Sequence, residues 1–187
     1  MDGLQLLQNR VSITKLDAPA PNEQQLRAVF GAASRAPDHG KLQPWRFLVI
    51  EGEGLEKLSS VFVDALVKSN PGVSQSVVEK TKNMPFRAPM IIAAIAKCLD
   101  HPKVPRQEQL LACAAATQNI LNALFALKFG AVWRTGDLAY NADVKQALGL
   151  NAAEELIGFI YVGSPVGDIP APPQADIASI FAPWPVK

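Results

Sequence analysis

The stretch that most limits what this chain can fold into is Glu108 to Gly136, EQLLACAAATQNILNALFALKFGAVWRTG. To about Phe129 it reads as one long helix, with apolar or alanine positions on every face. A helix apolar all round has to be buried. Thr117, Gln118, Asn119 and Asn122 interrupt the run, and such amide and hydroxyl groups argue against a membrane span. Gly130 is the expected helix stop, because glycine accepts the left-handed backbone of a C-cap. Ala131-Val132-Trp133 then reads as a short strand whose far end carries Arg134 and Gly136. What that end is for is the question the rest of the chain has to answer.

At 187 residues, 49% of them apolar, the chain is long enough for one domain with a real core. Eighteen Lys and Arg stand against 17 Asp and Glu. That balance gives no reason to expect nucleic acid or an anionic membrane as partner. Cys98 and Cys113 lie in apolar runs without metal-ligand spacing, as buried thiols of a reducing cytoplasm would. His39 and His101 are too isolated for a metal site. The first residues, MDGLQLLQNR, lack the basic flank and apolar core of a signal peptide, so a cytoplasmic location is expected.

Taken in order, Leu4 to about Asn9 is a short helix, and Arg10 to Lys15 is non-periodic. Asn22 caps a helix running to about Ser34. A loop, Arg35 to Pro44, leads into the aromatic and β-branched strand Trp45–Ile50. Leu55 to Ser69 is an amphipathic helix, and Val77 to Asn83 a shorter one. Met90 to Ala96 is a continuous apolar run, the pattern of a central strand. Asp143 to Leu148 makes a small helix and Leu156 to Val162 a fourth strand. From Ser164 the tail carries Pro165, Pro170, Pro172, Pro173, Pro183 and Pro185, and should run extended over a surface, its own or a partner's. About four strands and five or six helices, not strictly alternating, point to an α+β layered domain spanning 1–187, with a sheet around the long helix. No GxGxxG follows the first strand, and no P-loop motif occurs.

Three segments gather polar residues beside apolar elements. Arg10, Ser12 and Lys15 combine a guanidinium fork, a hydroxyl and free backbone donors, which suits a phosphate. Basic residues that merely complement a helix C-terminus would look the same. Arg35, His39, Lys41 and Gln43 sit in a loop restricted by Pro37, Gly40 and Pro44; they could face one ligand, or the loop could be a plain helix-to-strand connection. Gly130 to Gly136 could equally be only a helix cap and a strand. No Ser/His/Asp constellation and no acid pair stands out, so any enzymatic chemistry would fall to a bound cofactor.

In order and spacing, Arg10-Val11-Ser12, the Arg35-Ala36-Pro37 to Gln43-Pro44-Trp45-Arg46-Phe47 segment and Gly130 to Gly136 resemble the FMN-dependent nitroreductase family, in particular its short bacterial branch of NAD(P)H nitroreductases. The resemblance covers the chain to about Ser164. It implies a layered α/β/α domain with an antiparallel-type sheet around a long central helix. It also implies a homodimer with FMN at the subunit interface. Arg10 and Ser12, with the backbone at Val11, would hold the FMN phosphate and ribityl chain. Arg35 and His39 would reach the same flavin from the partner subunit, and Ala131, Val132 and Trp133 would run past its ring system. Leu121, Asn122, Ala123, Leu124, Phe125 and Ala126 correspond to a stretch assigned to NAD(P)H in this family. The implied activity is NAD(P)H-dependent reduction of nitroaromatic or quinone-type acceptors through the flavin. A flavin- or small-ligand-binding dimer without turnover, a sensor or carrier, is the alternative. This chain has Lys41 where many members have Asn, and its end, Pro185-Val186-Lys187, lacks the basic pair of longer members.

Overall fold

A computed structural model describes residues 2–184. The chain runs α1 (Gly3–Asn9), β1 (Leu16–Asp17), α2 (Glu23–Ala33), β2 (Trp45–Glu51), α3 (Glu53–Ser69), α4 (Gln75–Lys82), β3 (Met90–Lys97), α5 (Arg106–Ala126), β4 (Gly130–Arg134), α6 (Asp137–Tyr140), α7 (Ala142–Ala147) and β5 (Glu154–Pro165). The first two helices start the same way. Asp2 and Asn22 each accept a hydrogen bond from the backbone N–H three residues on, at 2.8 and 3.0 Å, while Gln5 and Gln25 reach back to the cap N–H. Each is a reciprocal capping box that satisfies two otherwise orphaned donors.

All the strand pairings are antiparallel, in the order β1-β5-β3-β2, with β4 also paired to β5. β3 is buried at every position but its last. Its alternate residues feed two separate cores. Met90, Ile92 and Ala94 meet Val29 and Ala33 of α2 and Ala116, Ile120 and Leu124 of α5. Ile91, Ala93 and Ile95 meet Leu55, Leu58 and Phe62 of α3. Helices on both faces explain why an antiparallel strand reads as one continuous apolar run. The result is the layered α/β/α arrangement that the family resemblance implies, with β1 and α6 as short elements that the sequence reading does not contain.

α5 is not buried all round within one chain. Ala112, Cys113, Ala116, Ile120, Leu121 and Leu124 form its core stripe, while Leu111 on the other face is 61% exposed and Ala114, Ala115, Gln118 and Asn122 are half-buried. Its polar groups are satisfied locally. Thr117 Oγ1 donates to Cys113 O at 2.9 Å, Gln118 Nε2 to Asn122 Oδ1 at 3.1 Å and Asn119 Nδ2 to Ala32 O at 3.2 Å. Gln109, only 1% exposed, bonds Leu99 N, Leu99 O and Val104 O and so fixes the loop leading into the helix.

The helix stop differs from the expectation at Gly130. The left-handed residue is Lys128, with φ +67°. Phe129 N donates to Leu124 O and Lys128 N to Phe125 O, at 2.9 and 3.0 Å, the pair of bonds that defines a Schellman cap. Gly130 instead begins β4. It is glycine because a Cβ there would stand 2.6 Å from Leu16 Cδ2 and 3.1 Å from Ile13 Cγ2. At the chain's end, every described residue from Val166 to Trp184 is exposed, Phe181 at 70% and Trp184 at 91%. Val166 N still bonds Lys15 O at 3.0 Å, and beyond it the described tail buries little of itself; Pro185-Val186-Lys187 lie outside the described residues.

Candidate functional site

Arg10 closes α1 in an extended conformation, and its N–H still bonds Leu6 O. The chain then alternates. Val11 and Ile13 turn into the protein, at 9% and 5% exposure, while Ser12 and Thr14 face out. Ile13 N donates to Ala131 O at 3.0 Å, which lays this segment along β4. In an antiparallel pair, a residue's N–H and C=O point to the same side, and the side alternates along the strand. Ala131 therefore presents its backbone away from β5, and so does Trp133. The N–H and C=O of Trp133 find no other backbone partner among the described residues. The first and third polar segments thus meet at an open strand edge beside Arg10, which forms no ion pair among the described residues. The Trp133 indole is committed elsewhere: it packs over Gly158 and donates Nε1 to Ile157 O at 3.2 Å. Trp133 offers the edge its backbone only.

The second segment is held in an unusual shape. Gly40, Lys41 and Gln43 all have positive φ, at 75°, 56° and 47°. Asp38 holds the loop, its Oδ2 accepting from Gln43 N at 2.7 Å and its carbonyl from Lys41 N at 3.3 Å. Left-handed backbone costs a non-glycine residue about 1–2 kcal/mol, and such strain gathers at ligand sites. Arg35, His39, Lys41 and Gln43 are all exposed. His39 Nδ1 lies 2.6 Å from Glu108 Oε2, in the first turn of α5. That helix has 21 residues and so extends about 30 Å. His39 stands at its start, whereas Arg10–Ser12 lie near its end. One chain does not bring these two groups together.

Of the 121–126 stretch, Leu121 and Leu124 are core residues; Asn122, Ala123, Phe125 and Ala126 keep exposed surface. Cys98 and Cys113 are buried free thiols. Burial, with the neighbouring Cys98, pushes the Cys113 thiol up to about 12, against the opposing hydrogen bond from Thr117. Arg46 clasps Glu154 through two bonds, 2.6 and 2.9 Å, and holds its carboxyl below the usual carboxylate range against the opposing effect of burial. Among the described residues no group of three or more His, Cys, Asp and Glu could hold a metal, and no helix is long and apolar enough to cross a membrane.

On the other face of the sheet, the far end of β4 opens on a cavity of about 370 Å³. Arg134, Arg87 and Tyr161 line it, with Phe62 and Phe159. The Arg134 guanidinium lies over the Tyr161 ring, 5.6 Å from its centroid. Arg134 Nε is buried without a hydrogen-bond partner, a deficit worth roughly 1–3 kcal/mol. Burial pushes the Tyr161 hydroxyl up, and the positive charges of Arg87 and Arg134 oppose that shift. The sequence marks Arg134 but not Arg87 or Tyr161, since a lone arginine in a turn and a tyrosine in a strand carry no pattern.

The chain is thus a three-layered α/β/α domain with the Arg10–Ser12 segment laid along β4 and a strained loop at the far end of its central helix. The chain belongs to the nitroreductase family, whose sequence model matches residues 7–164. A protein of Escherichia coli (strain K12) named "Putative NAD(P)H nitroreductase YdjA" is 42% identical over 165 residues, 88% of this chain and 89% of that protein. The fold is that of a nitroreductase-like family protein from Bacillus cereus: TM-score 0.84, 19% identity, covering 100% of this chain and 97% of the other. It is also that of NfnB from Sphigopyxis sp. strain HMH, described as an FMN and NADPH-dependent nitroreductase and solved as the mutant Y88A. There the TM-score is 0.80 and the identity 17%, with 100% of both chains covered.

Proposed function

We propose that the chain is a cytoplasmic, homodimeric flavin oxidoreductase that binds FMN, takes reducing equivalents from NAD(P)H and passes them to nitroaromatic or quinone-type acceptors. The observation that carries this reading is the open β4 edge beside Arg10–Ser12. Bound flavin would supply the redox chemistry, held by Arg10–Ser12 and the backbone of β4. The chain's own residues supply position and charge. The Arg10 fork and the Ser12 hydroxyl suit a phosphate, and the buried Val11 side chain fixes the backbone between them. Ala131 C=O is taken by Ile13 N–H, so the outward N–H and C=O of Trp133 are the donor and acceptor that remain to suit the polar edge of a flavin ring. The pair at His39 and Glu108 orients the imidazole, leaving Nε2 free to face a ligand.

Two antiparallel copies of α5, packed through the Leu111 and Ala115 face, would set the start of one helix beside the end of the other. Arg35 and His39 of one copy would then join Arg10 and Ser12 of the second. Small residues at Ala114 and Ala115 allow that close approach. For NAD(P)H, the exposed surface at Asn122, Ala123, Phe125 and Ala126 is what the 121–126 stretch can contribute.

The test is the visible spectrum of the purified protein, with the released flavin identified, followed by NAD(P)H oxidation with a nitroaromatic acceptor. Arg10→Ala should weaken flavin binding by about tenfold or more. Mixed dimers of Arg10→Ala and His39→Ala chains should retain one intact site. A protein that stays colourless after incubation with FMN overturns the reading; bound flavin without acceptor-dependent turnover leaves a sensor or carrier.

A further inference from the structure

We propose that the cavity at the far end of β4 is a second binding site, built for a small aromatic carboxylate. It lies between the turn Pro85–Arg87 and Arg134, on the sheet face opposite the Trp133 indole. Its lining holds two guanidinium groups and no carboxylate. Neither Arg87 nor Arg134 forms an ion pair among the described residues, although Arg27, Arg46 and Arg106 each do. Tyr161, 4% exposed, has no hydrogen-bond partner for its hydroxyl among the described residues. Arg134 Nε is buried without a partner, so nothing in the described residues holds that guanidinium by a hydrogen bond. A carboxylate meets these needs together, because its two oxygens accept from a guanidinium fork and have lone pairs left for a phenol.

The rest of the lining sets the remainder of the ligand. Phe62 and Phe159, packed edge to face with centroids 5.3 Å apart, are buried behind the cavity, and the half-buried Met84 and Leu138 are its apolar walls, Met84 an adaptable one. A bare phosphate would leave Met84 and Leu138 unused. The volume of about 370 Å³ lies at the small end of ligand sites and suits a substituted benzoate. Asp137, the nearest acid in sequence, lines the adjoining cavity with Asn141 and Ser69 instead. The site does not depend on the flavin reading, since Arg134 and Trp133 project to opposite faces.

Isothermal titration of the full-length protein as purified, with sodium benzoate and with benzamide, tests this. The expected result is one benzoate per chain, with benzamide weaker by about tenfold or more, because it cannot neutralise the guanidinium pair. Arg87→Gln and Arg134→Gln should each weaken benzoate by about tenfold, and Tyr161→Phe by a smaller factor. Arg87 is half-exposed in a turn, so its variant keeps the parent melting temperature and separates lost binding from lost fold. Flavin content should be the same in all variants. Equal affinity for benzoate and benzamide, unchanged benzoate binding in both glutamine variants, tighter binding of inorganic phosphate, or no saturable benzoate binding would each overturn the proposal.

Discussion

Replacing Gly130 by alanine separates two reasons for a glycine. If it were the helix stop, the penalty would come from backbone conformation. The structure puts the left-handed φ at Lys128 and gives Gly130 a contact role. An added Cβ would stand 2.6 Å from Leu16 Cδ2, 3.1 Å from Ile13 Cγ2 and 3.2 Å from Ile13 Cβ. The Leu16 methyl can rotate aside. Ile13 Cβ cannot, except by moving a backbone whose N–H bonds Ala131 O at 3.0 Å. Overpacking of this kind costs about 1–3 kcal/mol, which for a domain of this size lowers the melting temperature by about 2–12 °C. Ser12 precedes Ile13, so flavin affinity should fall as well. Lys128→Gly should be neutral or stabilising by up to about 1 kcal/mol, because relief of the left-handed backbone slightly exceeds the entropy gained by the unfolded chain. Thermal denaturation at fixed chain concentration, with flavin titration, reads both. A G130A variant unchanged in stability and flavin affinity, beside a destabilised K128G variant, would refute the reasoning.

Glu154→Gln should cost about 1.5–3 kcal/mol by weakening the bonds from Arg46, measured by urea denaturation at neutral pH. The carboxyls of Glu154 and Glu155 are held below their ordinary 4.5 by hydrogen bonds from Arg46 and Lys145 respectively. Their stabilisation is complete above that value and is lost as pH falls through the depressed folded values. Glu154→Gln should therefore flatten the acid limb of a stability–pH curve. Cys98 and Cys113, 5% and 0% exposed, should resist Ellman's reagent at pH 8 in the folded protein and react together on unfolding; prompt reaction of either would contradict the burial. Leu111→Asp places a charge on the outer face of α5 and should shift sedimentation of the proposed dimer to single chain; a dimer that persists would refute the proposed α5 interface.

The elements with a repeating signal were legible in the sequence. The capped start at Asn22, the aromatic strand from Trp45 and the run from Met90 each carry many residues saying the same thing. The layered class followed from counting them. What was not legible depends on contacts between distant segments. Gly130 looks like a helix stop because glycine usually is one, and only Leu16 and Ile13 reveal the close approach that requires it. The outer face of α5 is apolar like its core face, so sequence cannot separate what the chain buries from what it leaves open. Arg10–Ser12 and Ala131–Trp133 could be matched by family resemblance. Their meeting at one strand edge rests on a single bond from Ile13, which no spacing predicts. Arg87 and Tyr161 are far apart in sequence and become neighbours only through the sheet.

β4 also works as a partition wall. Trp133 and Arg134 are consecutive, yet one belongs to the room that holds α5 and the other to the room that holds α3. Substitutions on one side can be selected with little disturbance to the other, so the two rooms are free to diverge at different rates among relatives. The shortest route between them is a single peptide bond. A ligand that pulls Arg134 by a fraction of an ångström pulls on the carbonyl of Trp133, and any conversation between the two rooms would be carried by that one planar unit.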